Sequence, residues 1–172
     1  MGEIIFILGG ARSGKSRYAL EVAKRLSRRV AFIATCITKD PEMKRRIKLH
    51  KRRRPSYWKT FEVALEPTTL LKRLDSKFDV VIIDCLGLMI SNLMLKGFKE
   101  SVIKDKIVEM LGILKKNKLQ SIIVSNEVGL GIVPENKLAR DFRDIAGKVN
   151  QLVAEKADKV FFMFSGIPLK IK

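Results

Sequence analysis

The sequence predicts a single α/β domain whose central, mostly parallel sheet is flanked by helices. Three observations lead there. Short, continuously apolar runs suit strands buried on both faces, and amphipathic helical stretches alternate with them along the chain. Between the first such run and the first helix lies Gly9-Gly10-Ala11-Arg12-Ser13-Gly14-Lys15-Ser16. That octet fits G-x-x-x-x-G-K-[ST], a phosphate-binding loop, in the strand, loop and helix setting the motif requires.

Ile4 to Leu8 is short and apolar throughout, the pattern of a buried strand. Past it, glycines let the backbone curl so that N–H groups point inward, and the helix N-terminus adds partial positive charge. Lys15 would reach the β and γ phosphates, and the Ser16 hydroxyl would help hold Mg²⁺. A plain glycine-rich connection is the competing account of the same residues. From Arg17 to Arg28, Ala19, Val22, Ala23 and Leu26 recur at helical spacing, leaving Lys24, Arg25 and Arg28 outside. Val30 to Thr35 is a second strand, which implies parallel pairing through a right-handed crossover.

Asp40-Pro41-Glu42 reads as a helix start, with Asp40 as cap, Pro41 at the first helical position and Glu42 favoured by the dipole. The helix runs through the most basic stretch of the chain and is limited by Pro55. Met43, Ile47 and His50 recur at i, i+4 and i+7, which places the only histidine on the inward apolar face. Trp58 to Val63 alternates as a weaker strand, and Pro67 opens a helix that buries Leu70, Leu71 and Leu74.

Asp79 to Cys85 is a further buried strand. It ends near Asp84, where a carboxylate can orient Mg²⁺ and its water, although aspartate at a strand end also serves as a turn or cap residue. Leu86 to Leu95 is helical with Gly97 as its stop, and Val102, Ile103, Ile107, Met110, Leu111 and Leu114 mark another amphipathic helix. Ser121 to Ser125 is a strand followed by Asn126, Glu127 and the loop Val128 to Pro134. A long helix from Glu135 shows Leu138, Phe142, Ile145, Val149 and Leu152 on one stripe. Lys159 to Phe164 is a late strand, and Leu169 to Lys172 a short C-terminal edge strand. Ser13 to Ser16, Thr35, Asp84, Asn126 and Glu127 all follow strand C-termini, the edge where parallel sheets bind ligands.

Composition narrows the classes. At 172 residues, 47% of them hydrophobic, the chain suits one domain spanning 1–172. Apolar stretches are interrupted well before the ~20 residues of a membrane span, and no signal-peptide pattern opens the sequence; a soluble, cytoplasmic protein is expected. Cys36 and Cys85 make neither a disulfide framework nor a zinc set. Lysine and arginine total 35 against 18 acidic residues, a net charge of +17 that favours polyanions. Nucleic acid along Lys44 to Arg54 is one reading, but only Tyr57 and Trp58 offer stacking partners there. His50 has two readings: a surface or structural residue, or a neutral imidazole whose basic neighbours disfavour its cation and draw in a phosphate.

Almost end to end, the chain resembles the bifunctional adenosylcobinamide kinase / adenosylcobinamide-phosphate guanylyltransferase family of cobalamin biosynthesis. The resemblance rests on Gly9 to Arg17, Ile33-Ala34-Thr35, Asp40 to Met43 with Arg46-Ile47, His50 with Arg54-Pro55, and Trp58-Lys59-Thr60 with Glu62. It continues through Asp84-Cys85-Leu86, Ser91-Asn92-Leu93, Asn126 to Pro134, Arg140 to Asp144, Gly147, Asn150-Gln151 and Gly166-Ile167-Pro168. It implies a P-loop NTPase domain of the RecA-like kind, with Mg²⁺ as cofactor, and a homotrimer. It also implies two reactions: phosphorylation of the aminopropanol hydroxyl of adenosylcobinamide by ATP or GTP, then guanylyl transfer from GTP through a histidine matching His50 to adenosylcobinamide phosphate.

Catalytic roles fall on His50 and Lys15, and metal binding on Ser16 and Asp84. Nucleotide contacts fall on Gly9, Gly10, Ala11, Arg12, Ser13, Gly14, Lys15, Ser16, Ala34, Thr35, Cys36, Lys51, Arg52, Arg53, Arg54, Glu62 and Asp84. Glu62 suits guanine because a carboxylate accepts from N1–H and the exocyclic amine together. The chain departs from the family pattern at Leu49, where many members have a second histidine, and at Gly87 and Met89, where bulkier or hydroxylated residues are frequent. A plain small-molecule kinase with a structural His50 is the second alternative.

Overall fold

A sheet of seven strands in the order β3-β2-β4-β5-β1-β6-β7 forms the centre of the molecule. Its strands are Ile4–Gly9 (β1), Val30–Ala34 (β2), Lys59–Glu62 (β3), Val80–Asp84 (β4), Gln120–Val124 (β5), Lys159–Phe164 (β6) and Ile167–Lys170 (β7). The helices are Lys15–Leu26 (α1), Pro41–Arg52 (α2), Thr68–Arg73 (α3), Leu86–Leu95 (α4), Glu100–Lys116 (α5) and Lys137–Lys156 (α6). The computed structural model describes residues 2–36, 41–74 and 77–172, and in α2 the side chains of residues 45 and 47–52. The expected Asp40 cap lies outside the described residues, as do the side chains of Pro41, Glu42 and Met43.

All pairings are parallel except β6 with β7. The alternation of side chains explains the apolar runs. Along β1, Ile5 and Ile7 enter one cluster with Ala19, Leu20 and Ala23 of α1, while Ile4, Phe6 and Leu8 enter the other, against α3 to α6. Phe6, Ile4 and Ile7 are fully buried, each contributing about 1.5–3 kcal/mol of burial. The faces are unequal, since α1 with Trp58 covers one of them while four helices cover the other.

Several element boundaries differ from expectation for local reasons. Helix α1 starts at Lys15, within the motif, because Gly14 at φ 94 turns the chain directly into it. It ends at Leu26 because Ser27 is extended, its Oγ accepting from Arg29 N at 3.0 Å and donating to Asp79 Oδ2 at 2.6 Å. Trp58 precedes β3 and is buried in the α1-side cluster. Strand β7 begins at Ile167, because Ser165 and Gly166, at φ 48 and 90, make a two-residue hairpin turn. Leu71 is fully buried in α3, whereas Leu70 and Leu74 are only partly so. Val102 and Leu138 lie on the solvent side, at 38% and 52% exposure, although each belongs to an apolar stripe.

Candidate functional site

The ends of β2, β4, β5 and β1 lie side by side, so four loops meet at one sheet edge, as parallel sheets require of a ligand site. The octet between β1 and α1 is a closed loop. Ser13 N donates to Gly10 O at 3.3 Å, and Lys15 Nζ donates to Gly10 O at 2.6 Å. Lys15 is buried, and that burial lowers its pKa against the raising charges of Cys85 and Asp84. Gly9 leaves room for nothing larger, since a Cβ there would meet Ser13 Oγ at 2.7 Å and Met163 O at 2.8 Å. Ser13 Oγ is buried without a partner, and Ala11 and Arg12 are exposed at the loop tip.

Asp84 is the centre of the charge arrangement. Burial raises its pKa, and it is drawn back by a hydrogen bond from Ser16 and by the charges of His50, Arg54 and Lys15. It is not a helix cap: the cap position of α4 is Cys85, and no side chain caps that helix. The hydroxyl of Ser16 and the carboxylate of Asp84 are hard oxygen donors side by side, a set suited to Mg²⁺, which binds few protein groups and completes its shell with water and phosphate. Among the described residues no cluster of three or more carboxylates, histidines or cysteines competes for a metal.

Thr35 has a different task. Its hydroxyl is fully buried, donates to Cys85 O at 2.7 Å and accepts from Cys85 N at 2.9 Å. Its N–H bonds Asp84 O, and its carbonyl accepts from Asn92 Nδ2 at 3.0 Å. The side chain thus fastens the end of β2 to the residue after Asp84. Cys36 is half-buried and Cys85 buried, with burial pushing the Cys85 thiol up to about 12. Both remain thiols, poor nucleophiles in that form.

The last turn of α2 and the segment after it bring the basic residues in. Contrary to the inward face expected from the Met43, Ile47 and His50 spacing, His50 is exposed and Ile47 only half-buried. The neighbouring Leu49 is 56% exposed. The periodicity is real, but the helix end projects past the sheet edge, so its apolar side meets little core. Arg54 folds back, its guanidinium 3.6 Å over the centre of the buried Phe32 ring and its Nη1 3.4 Å from Thr60 Oγ1. Burial lowers the Arg54 pKa, opposed by the charges of Asp84 and Glu62. Lys51 forms an ion pair with Glu62 at the end of β3, tying α2 to the sheet. Arg52 and Arg53 are exposed.

Side chains given no role by the sequence reading support this edge from behind. Asn92 of α4 donates to Thr35 O and Ala64 O, both at 3.0 Å, and the buried Asn150 of α6 accepts from Ser125 Oγ at 2.8 Å and donates to Asn126 O at 3.1 Å. A buried asparagine inside an apolar helix stripe is the signal that could have marked both. Gly166 N donates to Ser13 O at 2.9 Å, so the β6–β7 turn braces the phosphate loop.

The sequence pattern of the family described as "Cobinamide kinase / cobinamide phosphate guanyltransferase" matches residues 5–171. The chain belongs to this family, one of bifunctional transferases in adenosylcobalamin biosynthesis. It is 40% identical over 98% of its length to the bifunctional adenosylcobalamin biosynthesis protein CobU of Salmonella typhimurium, of which 99% is covered. It is likewise 40% identical, over 96% of its length, to the corresponding CobP of Pseudomonas aeruginosa, covering 95% of that protein. The RadB recombinase structure aligns with 94% of this chain and 74% of its own at TM-score 0.55 and 15% identity. A second ATPase domain aligns with 94% of this chain and 69% of its own at TM-score 0.52 and 17% identity. These likenesses show the P-loop, RecA-like fold expected from the sequence. Among the described residues no helix is long and apolar enough to cross a membrane.

Proposed function

We propose that this chain phosphorylates the aminopropanol hydroxyl of adenosylcobinamide with ATP or GTP, and then transfers GMP from GTP to the product through a guanylyl-His50 intermediate. The observation that carries the reading is the convergence of Lys15, Ser16, His50 and Arg54 on Asp84. One edge thereby holds a phosphate cradle, a metal carboxylate and an accessible imidazole.

In the first step the acceptor hydroxyl attacks the γ-phosphorus, the bond to the β–γ bridging oxygen breaks and the hydroxyl proton is released. Lys15 exchanges its bond to Gly10 O for the phosphate oxygens, and the N-terminus of α1 adds positive potential. Ser16 and Asp84 would hold Mg²⁺, whose charge offsets that of the phosphates. In the second step an imidazole nitrogen of His50 attacks the α-phosphorus of GTP and pyrophosphate leaves. A phosphate oxygen of adenosylcobinamide phosphate then displaces the histidine, giving adenosylcobinamide-GDP. Arg54, fixed over Phe32, and the exposed Lys51, Arg52 and Arg53 supply positive charge along the α-phosphate's approach. Glu62 receives the guanine edge after leaving Lys51. A cytoplasmic homotrimer is part of the same reading.

The test is incubation with Mg²⁺ and GTP labelled at the α or γ phosphate, followed by denaturing electrophoresis. Wild-type protein retains α label only, and His50→Asn retains neither. Absence of α label from wild-type protein that still phosphorylates cobinamide refutes the guanylyl half and leaves a plain kinase.

A further inference from the structure

Between β5 and α6 the chain exposes an apolar loop that neither the phosphate cradle nor His50 accounts for. Leu130 is 80% exposed, Ile132 96% and Val133 61%, with Leu138 at 52% in the first turn of α6. The loop is held from behind. Glu127 N donates to Gly9 O at 2.9 Å, Glu127 Oε1 accepts from Gly129 N at 2.5 Å, and Arg143 Nη2 reaches Gly129 O at 3.4 Å. Arg140 Nη1 donates to Pro134 O at 3.0 Å and also to Glu135 O. Backbone groups are thus satisfied while apolar side chains stay in water, an arrangement that costs free energy unless something covers them.

What covers them is indicated by position and charge. Glu127 bonds Gly9, the first residue of the phosphate loop, so a ligand on the tip has its near end beside the transferred phosphate. In a chain with 35 lysines and arginines, residues 119–136 contain none, which disfavours a polyanion there. At Gly131 the space a Cβ would occupy is open, so a flat ligand can approach the backbone amides between the apolar side chains.

We propose that residues 128–134 with Leu138 form the docking platform for the macrocycle of the cobinamide acceptor, a large ring with apolar methyl-bearing faces and an amide rim. This rests on the functional reading above and extends it. The platform takes up the ring, the aminopropanol arm extends toward Gly9, and its hydroxyl comes within reach of the γ-phosphate. The exposed side chains contribute binding of the acceptor and leave the nucleotide reactions alone.

The test is a Leu130→Ser/Ile132→Ser double variant in equilibrium dialysis against cobinamide, read by corrin absorbance, with Mg²⁺ and a non-hydrolysable ATP analogue present. Cobinamide affinity falls at least tenfold, about 1.4 kcal/mol, while analogue affinity and α-label retention from GTP stay at wild-type levels. Ile132→Met restores most of the affinity. Unchanged cobinamide affinity overturns the platform, and so does an altered sedimentation coefficient, which would make the loop a contact between copies of the chain. Wild-type protein that retains α label yet binds no cobinamide also overturns the platform and leaves the guanylyl reaction standing. Cobinamide binding that depends on Leu130 and Ile132, without any label retention, supports the platform and refutes the guanylyl-histidine step.

Discussion

Replacing Thr35 by valine removes one oxygen and keeps the shape, so the loss is readable from the structure. The hydroxyl is the partner of Cys85 N at 2.9 Å and donates to Cys85 O at 2.7 Å. Without it the carbonyl still accepts from Met89 N at 3.3 Å, but the N–H has nothing. An orphaned buried N–H costs roughly 1–3 kcal/mol, and with the weakened carbonyl the total is about 2 kcal/mol. For a chain of this size that lowers Tm by about 4–8 °C. Thr35→Ser keeps both bonds and gives up one methyl, about 0.8 kcal/mol. Chemical denaturation with scanning calorimetry orders the three proteins. A Thr35→Val protein within about 0.5 kcal/mol of wild type, the range of neutral surface changes, refutes the assignment of the hydroxyl as the fastener of the two strand ends. Asp84 immediately precedes Cys85, so Mg²⁺-dependent nucleotide affinity, measured by calorimetric titration, falls in the valine variant and not in the serine variant.

Asn150→Leu removes the bonds to Ser125 and Asn126; a loss of about 2–3 kcal/mol and faster amide exchange at residues 126–129 are expected from hydrogen-exchange measurements. Gly166→Ala places a Cβ 3.1 Å from Arg17 Nη2 at φ 90, a left-handed backbone costing about 1–2 kcal/mol, and weakens ATP-analogue binding in fluorescence titration because Gly166 N holds Ser13 O. Arg29 and Ser27 hold the Asp79 carboxyl down to about 2 from 3.8. That contribution is full above pH 3.8 and is lost as pH falls through about 2, so urea midpoints of Asp79→Asn decline less steeply across that window than those of wild type.

Buried strands were the most legible part of the chain, since β1, β2, β4 and β5 are apolar on both faces and each coincides with a continuous run. Strand order was not legible, because pairing depends on which surfaces meet and all four runs look alike. The phosphate motif, Ser16 and Asp84 could be read from position alone, as each follows a strand end. The face of His50 was misread because helical spacing specifies which side chains align and says nothing of whether a core lies beneath them. Arg54 and Thr35 stood among the expected nucleotide contacts, yet stacking on Phe32 and bonding to Cys85 are long-range events with no local signature. Trp58 was assigned to a strand, whereas its ring is needed to close the thinner face.

The phosphate loop leans on residues made long after it. Arg17 and Gly166 are 149 positions apart, and β1 is flanked by β5 and β6, not by the strand that follows it in sequence. On the ribosome the octet therefore emerges early, but its walls arrive only when residues 120–166 have been synthesised. Such distant pairings make late steps of folding. Nucleotide capture thus reports a nearly full-length chain, and a fragment stopped before residue 159 carries the whole motif without a working cradle.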